Sequence, residues 1–199
     1  MISDSSQFSK KEWYYLMTQT IIPRPVAWIL SDNGDNTYNL APFSYFNGVS
    51  SDPPVIMMSI GKKRDGNAKD TWRNISERQH FVVHIPSVTD AEMVTLSAKP
   101  FEFGESEVTE LGLEICWDDV HLLPRLANSK VAFYCQYYDM IEVGNTPQSL
   151  VLGEIKSVYL SDEIVSVDEK KLIVSAKKLD PLIRLGGSEY ASLGDCFIV

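Results

Sequence analysis

The sequence predicts a mainly β chain with short helices, closed or partly closed into a barrel. Short apolar runs rich in β-formers recur along the whole chain, from PVAWILS to EIVSV, with only a few short helices signalled between them. A doubly wound Rossmann sheet is excluded as a poor fit. That fold needs strands alternating regularly with longer helices and a GxGxxG after its first strand, and neither is present.

Each element has its own local reason. Ser9 followed by Glu12 has the spacing of a capping box ahead of WYYLMTQTI, which predicts a short helix ending before Pro23 and Pro25. The prolines then hold the chain extended. PVAWILS reads as a strand, DNGDN supplies the residues of a tight reversal, and TYNLAPFSYF returns, giving a β-hairpin. PPVIMMSIG is a central strand that ends in Gly61, a residue that lets the backbone turn sharply or approach something closely. DTWRNISER is a short helix with Asp70 and Thr71 at its cap, so free backbone N–H groups lie beside a basic loop.

Further on, HFVVHIPS is a strand, and Thr89 with Glu92 caps a short helix through AEMVTLSA. PFEFGESEVTELGLE is long, irregular, aromatic and acidic, and reads as a covering loop. KVAFYCQYYDMIEVG, QSLVLGEIKSVYLS and EIVSV alternate well enough to be three successive antiparallel strands, and DPLIRLGGSEYASLG is a loop-rich tail. No repeat, low-complexity tract or linker interrupts the chain, so residues 1–199 form a single domain.

Charge and composition narrow the function. A net charge of -9 and a pI near 4.8 argue against broad nucleic-acid binding, because most of this surface would repel a phosphate backbone. No apolar run approaches the roughly 20 residues of a membrane span, and the polar N-terminus lacks a signal-peptide core, so the expectation is a cytoplasmic protein. Cys116, Cys135 and Cys196 are odd in number, far apart and without CxxC spacing, and are read as buried reduced thiols. His80, His84 and His121 are not spaced as a metal set, no GxSxG marks a nucleophilic serine, and Asp118 and Asp119 would point to opposite faces of a strand. No metal site and no catalytic acid, base or nucleophile is assigned.

One feature runs against the acidic average: Lys62, Lys63, Arg64, Lys69 and Arg73 are packed into GKKRDGNAKDTWRN. Charge alone allows a solvated loop or the seat of a compact anion. Lys69, Asp70 and Thr71 stand at a helix start, where an ammonium, a hydroxyl and free amides converge on one phosphate, although the Asp70 carboxylate would repel that anion unless it bonds elsewhere. Asn39, Ser44, Asn47, Ser50 and Ser51 are either local turn formers or neutral donors for a planar heterocycle. Trp28, Phe43, Tyr45, Phe46 and Trp72 are either core or stacking partners. His121 in DDVHLLP is kept as a candidate contact to substrate or nicotinamide.

Taken in order, PRPVAWILS, NLAPFSYFNGVSSDPPVIMMSIG, KDTWRNI, LGEI and DPLIRLGGSEY resemble the flavin reductase-like family of FMN-binding split-barrel proteins, of the flavoredoxin and nitrilotriacetate monooxygenase component B type. The resemblance runs from about Pro23 to about Tyr190. It implies a homodimer of six-stranded Greek-key split barrels with FMN in a groove near the subunit interface. It places the flavin-binding segments on Asn39, Leu40, Ala41, Pro42, Phe43 and Ser44, on Ser59, Ile60 and Gly61, and on Lys69, Asp70 and Thr71. It also points to Arg184, from the C-terminal loop of either subunit, and to Arg24. The implied activity is transfer of electrons from NAD(P)H through bound FMN to flavin or another small acceptor, with a partner monooxygenase as a further consumer of reduced flavin. The alternatives are a non-enzymatic FMN electron-transfer protein reduced by a protein partner, and a binding module whose basic loop takes phosphate on another ligand. In flavin chemistry the protein's part is to hold the ring and control access to it.

Overall fold

The computed structural model describes residues 4–63, 66–101, 104–145 and 148–199. Its strands are β1 (Arg24–Pro25), β2 (Ala27–Asp32), β3 (Tyr38–Phe43), β4 (Phe46–Ser51), β5 (Pro54–Ile60), β6 (His80–His84), β7 (Ile115–Cys116), β8 (Arg125–Leu126), β9 (Val131–Val143), β10 (Gln148–Leu160), β11 (Val165–Asp168), β12 (Lys171–Val174), β13 (Ile183–Arg184) and β14 (Tyr190–Ala191). Between them lie helices α1 (Lys10–Thr20), α2 (Asp70–Arg78), α3 (Ala91–Leu96), α4 (Glu107–Glu110) and α5 (Ala176–Leu179).

Seven strands form one antiparallel sheet in the order β3-β2-β6-β9-β10-β5-β4. Its two edges, β3 and β4, are separated in sequence only by Ser44 and Tyr45. A two-residue connection spans only about 10 Å, so the sheet must curl until its edges meet. They meet without a hydrogen-bonded ladder, and the result is a split barrel. The expected hairpin return is therefore two strands: β3 pairs with β2, from Ala27↔Phe43 to Asp32↔Tyr38, whereas β4 pairs with β5. This break gives seven strands in place of the six that the resemblance implies.

Strand alternation builds two cores. Ala27, Ile29, Phe43, Phe46, Met58, Ile60, Phe81, Val83, Cys135 and Val151 face one another, so all seven strands supply the barrel interior, joined by Ile75 of α2. Trp28, Leu30, Leu40, Val82, Ala132 and Tyr134 point the other way and are covered by Val94 of α3, Val108 of α4, Leu123 and Leu182. Burial on both faces is why PVAWILS shows no polar alternation.

Other elements depart from the sequence reading for local reasons. α1 has the expected capping box, with Ser9 accepting from the Glu12 N–H and Glu12 accepting from the Ser9 N–H. The box before α3 lies two residues earlier than expected: Ser87 and Asp90 form it, and a short 3₁₀ turn, Val88–Asp90, leads into the helix. EIVSV does not extend the sheet. As β11 it pairs with β12, a strand the sequence reading left out, in a separate ribbon. Part of the tail is ordered by pairing, since β13 lies between β1 and β14. The cysteines are free thiols, but only Cys135 is buried, with Cys116 half-buried and Cys196 exposed. Among the described residues no helix is long and apolar enough to cross a membrane.

α1 is held at its ends more than along its length. Only Thr18 is buried, while Tyr14, Tyr15, Leu16 and Met17 stay exposed. The Arg24 guanidinium, itself 5% exposed, donates to the carbonyls of Thr18 and Ile21 at the helix end and to Leu185 O at 2.7 Å. It thereby satisfies carbonyls that a terminating helix leaves without partners.

Candidate functional site

Three of the predicted segments converge on one corner. Asn39 on β3 and Thr71 on α2 are both buried, and Asn39 Nδ2 donates to Thr71 Oγ1 at 2.9 Å. Ser31 and Asn74 extend this neutral network: Asn74 Nδ2 donates to Asn33 Oδ1 at 2.9 Å and reaches Ser31 Oγ at 3.3 Å. Every member is uncharged, so the network joins hairpin to helix without the desolvation penalty of a buried ion. Thr71 Oγ1 accepts from Asn39, which leaves the hydroxyl proton available to donate.

The basic loop folds back on itself. Lys62 pairs with Ala68 in a β-bridge, and the Lys63 N–H donates to Asn67 O at 2.8 Å, which returns the chain to Lys69 beside the end of β5. Gly61 sits where Gln148 passes close: a Cβ there would lie 2.9 Å from Gln148 Oε1. Ser59 donates its N–H to Tyr45 O at 2.9 Å, drawing β5 toward the β3–β4 junction, while the Ile60 side chain is buried in the barrel.

The start of α2 differs from the expectation in one useful way. Lys69, not Asp70 or Thr71, is the N-cap residue, and among the described residues no side chain caps the helix. The Arg73 N–H reaches Lys69 O at 3.0 Å, so the helix opens with the amides of Asp70, Thr71 and Trp72 ahead of its first bond. The objection raised by Asp70 is met by two cations: Lys63 Nζ lies 2.8 Å from one carboxylate oxygen and Arg73 Nη2 2.5 Å from the other. Of the island's remaining members, Lys62 is exposed and Arg64 lies outside the described residues. Lys69 Nζ stands 5.4 Å from the centre of the Phe43 ring, and partial desolvation of the ammonium lowers its pKa from the ordinary lysine value.

On β3 the predicted residues divide by direction. Leu40 is fully buried in the outer core, so only its backbone faces the edge, and Phe43 lines the barrel. Ala41, Pro42 and Ser44 are half-buried. The N–H groups of Tyr38 and Leu40 point off the open edge and are met by the next layer of chain. Tyr38 donates to Ser106 Oγ and Leu40 to Glu107 Oε2 at 2.8 Å. Alternation puts the Pro42 nitrogen on the same edge, where its missing proton breaks no ladder. Glu102 and Phe103 of the expected covering loop lie outside the described residues, but Ser106 and Glu107 do cover this edge.

Glu107 is the residue that sequence reasoning missed. It is 7% exposed, and burial, with smaller contributions from Asp70 and Glu105, pushes its pKa up to about 7 against the hydrogen bond from Leu40. Nothing in an acidic connecting segment marks one carboxyl as buried. Tyr45 was read only as an aromatic, yet its hydroxyl is the one buried side-chain polar atom without a partner among the described residues.

The remaining candidates lie elsewhere. Arg184 donates to Gly187 O and stacks on Tyr190 at 4.5 Å, and its link toward the corner is indirect: it pairs with Arg24, whose Nε reaches Ser44 Oγ at 3.4 Å. His121 is held on the outer face, its Nδ1 bonded to Asp118, its Nε2 2.5 Å from Ser157 Oγ and its ring stacked on Tyr134 at 3.5 Å. The order Asp–His–Ser is that of a nucleophile relay, but Asp118 is 41% exposed, and this chain of bonds fastens the 117–123 loop to β9 and β10. His84 is structural. Its Nδ1 donates to Trp28 O and its Nε2 accepts from Leu126 N–H, both at 3.0 Å. Trp28 is core and donates to Ser97 Oγ, whereas Asn47, Ser50 and Ser51 are exposed on β4. Phe46 belongs to the barrel interior, with Trp72 packed against it.

Comparison with known proteins gives consistent matches. Residues 17–179 match the family model described as a flavin reductase like domain. An uncharacterised protein of Halalkalibacterium halodurans is 32% identical over 193 residues, covering 95% of this chain and 90% of that protein. The crystal structure of nitrilotriacetate monooxygenase component B from Bacillus cereus superimposes with a TM-score of 0.91 at 31% identity, covering 100% of this chain and 98% of the other. That of 2-nitrobenzoate 2-nitroreductase from Pseudomonas fluorescens gives 0.85 at 30% identity, with 100% and 95% covered.

Proposed function

The chain belongs to the flavin reductase-like family, and from that premise we propose that it binds FMN where β3, the end of β5 and the start of α2 meet, and carries electrons from NAD(P)H to flavin or another small acceptor. The observation that carries this reading is the open start of α2: amides that no described side chain caps, a lysine beside them, and an adjacent aspartate already paired with Lys63 and Arg73. A helix start of this kind favours a phosphate, and the short basic loop explains why an acidic protein keeps cations there.

The residues present fit the cofactor. Lys69, the Thr71 hydroxyl and the α2 amides form the donor set for the phosphate. Asn39 and the β3 backbone supply a polar rim, Ala41, Pro42 and Phe43 an apolar slot, and Ser59 and Gly61 a wall that Gln148 keeps narrow. Ser44 and the unpartnered Tyr45 hydroxyl stand at the far end of the same segment. When bound, FMN supplies two-electron chemistry, while these side chains fix its position and exclude water. Arg184 belongs to the proposal through the C-terminal sheet, where it pairs with Arg24, from its own subunit or a second one.

The assembly proposed with it is a homodimer. Tyr14, Leu16, Met17, Ile21 and Ile22 on and after α1 and Val49 on β4 are exposed apolar side chains on elements next to the corner, suited to a second copy. A monooxygenase that consumes reduced flavin is the partner suggested by the component B relative.

Replacing both Lys69 and Thr71 by alanine should weaken FMN binding by at least tenfold in a fluorescence-quenching titration; unchanged affinity would remove them from the phosphate seat. Anaerobic addition of NADH and of NADPH to the flavin-loaded protein should bleach the visible flavin band with at least one of them. Bleaching by neither would leave an electron carrier reduced by a protein partner.

A further inference from the structure

We propose that Glu107 makes cofactor binding proton-linked: arrival of the FMN phosphate at the start of α2 draws a proton from solvent onto the Glu107 carboxylate. The inference rests on the FMN site proposed above and adds its regulation by pH.

The geometry couples two neighbouring positions of one strand. Asn39 sends its side chain to Thr71, in the first turn of α2, and the next residue, Leu40, sends its N–H to the Glu107 carboxylate. Consecutive Cα atoms are about 3.8 Å apart, so the Thr71 and Glu107 contacts hang from adjacent positions of one strand, with buried protein that screens charge poorly between them. A negative charge in that direction already acts on the group. Asp70, one residue before Thr71, raises its proton affinity even though Lys63 and Arg73 pair with that aspartate. A phosphate adds up to two charges of the same sign at the same end.

The charged and titratable groups around Glu107 do not cancel this effect. From β3 the nearby titratable side chain is Tyr38, neutral at ordinary pH, and from its own segment come Glu105 and Glu110, both acidic. From α2 and its loop come Asp70 with Lys63 and Arg73, and Lys69, which the proposed phosphate would engage directly. Buried and accepting one backbone N–H, Glu107 has a pKa of about 7, so near neutrality it is divided between its two forms and responds to a small added field. The Leu40 bond persists in both, since a neutral carboxyl still accepts through its carbonyl oxygen.

The sign follows from linkage. A group that binds protons more tightly in the complex than in the free protein makes binding stronger as pH falls. A tenfold rise in the proton affinity of Glu107 corresponds to roughly half a proton taken up per FMN at pH 7.5 and to about a fourfold loss of affinity between pH 6.5 and 8. The second ionisation of the phosphate, near pH 6, releases protons on binding to cations and is common to wild type and variants.

Isothermal titration of the full chain with FMN in two buffers of different ionisation enthalpy counts these protons. Wild type should take up about half a proton more than E107Q at pH 7.5, and riboflavin, which lacks the phosphate, should show no such excess. In wild type alone, carboxyl carbon NMR should show the Glu107 resonance shifting toward its protonated position on FMN addition, which keeps the test open if E107Q folds poorly. Equal counts for wild type and E107Q, an equal excess with riboflavin, or a Glu107 resonance unmoved by FMN would overturn the linkage while FMN binding stood. Failure of FMN to bind at all would overturn the site and the linkage together.

Discussion

Arg24 and Asp70 show how individual charges are placed in this protein. Arg24 is buried with no carboxylate partner among the described residues, its guanidinium instead gathering carbonyls from the end of α1 and from Leu185. Arginine suits that task because its planar fork offers five donors in fixed directions. Arg24→Met should therefore leave these carbonyls without their donor and destabilise the protein by about 2–4 kcal/mol in urea unfolding; a loss below 1 kcal/mol would mean that water replaces the guanidinium. Asp70 is the opposite case, an anion made compatible with the proposed phosphate seat by Lys63 and Arg73. The basic residues were legible in the sequence, but their division of labour was not, because Lys63 meets Asp70 only when the intervening loop closes through the Lys62–Ala68 bridge.

At the level of elements, the edges of the sheet matter most. β3 would expose unpaired N–H groups, and the segment Ser106–Glu107 covers them: Glu107 accepts from the Leu40 N–H, and Ser106 Oγ both accepts from the Tyr38 N–H and caps α4. Ser106→Ala removes both contacts and should cost about 1–2 kcal/mol, with faster amide exchange at Tyr38 as the local signature. β10 shows the same economy of space in the interior. A Cβ on Gly153 would stand 2.4 Å from the Phe81 ring, which is locked in the core, so Gly153→Ala should destabilise by about 1–3 kcal/mol in thermal or urea unfolding. Most strands and the first two helices were legible from period and local composition, although the expected side-chain cap forms only at α1. The break at Ser44–Tyr45 was not, since both residues sit in a run that reads as continuous until the chain has to pass from one edge of the barrel to the other.

For the whole molecule, two buried titratable groups set opposing responses to pH. His84 is fully buried and its pKa is lowered from 6.5 to about 4, mainly by desolvation; the unfolded chain binds the proton first, so stability falls as pH drops from 6.5 toward 4. Glu107 is raised from 4.5 to about 7, so the folded protein binds the proton first and stability rises as pH drops from 7 toward 4.5. Each effect amounts to about 2 kcal/mol between pH 7.5 and 5, and in the wild type they nearly cancel. E107Q removes one of them and should lose about 2 kcal/mol more than wild type over that interval in paired urea titrations; parallel curves would show that Glu107 keeps an ordinary pKa. By itself the sequence determined the β class, the positions of most elements and the cationic start of α2, because periodicity, caps and turns act over a few residues. Only the tertiary structure decided that Asn39 meets Thr71, that Lys63 pairs with Asp70 and that Glu107 is buried behind Leu40. Those contacts join positions 7 to 67 residues apart, and burial, which fixes their energies, exists only once the barrel has closed.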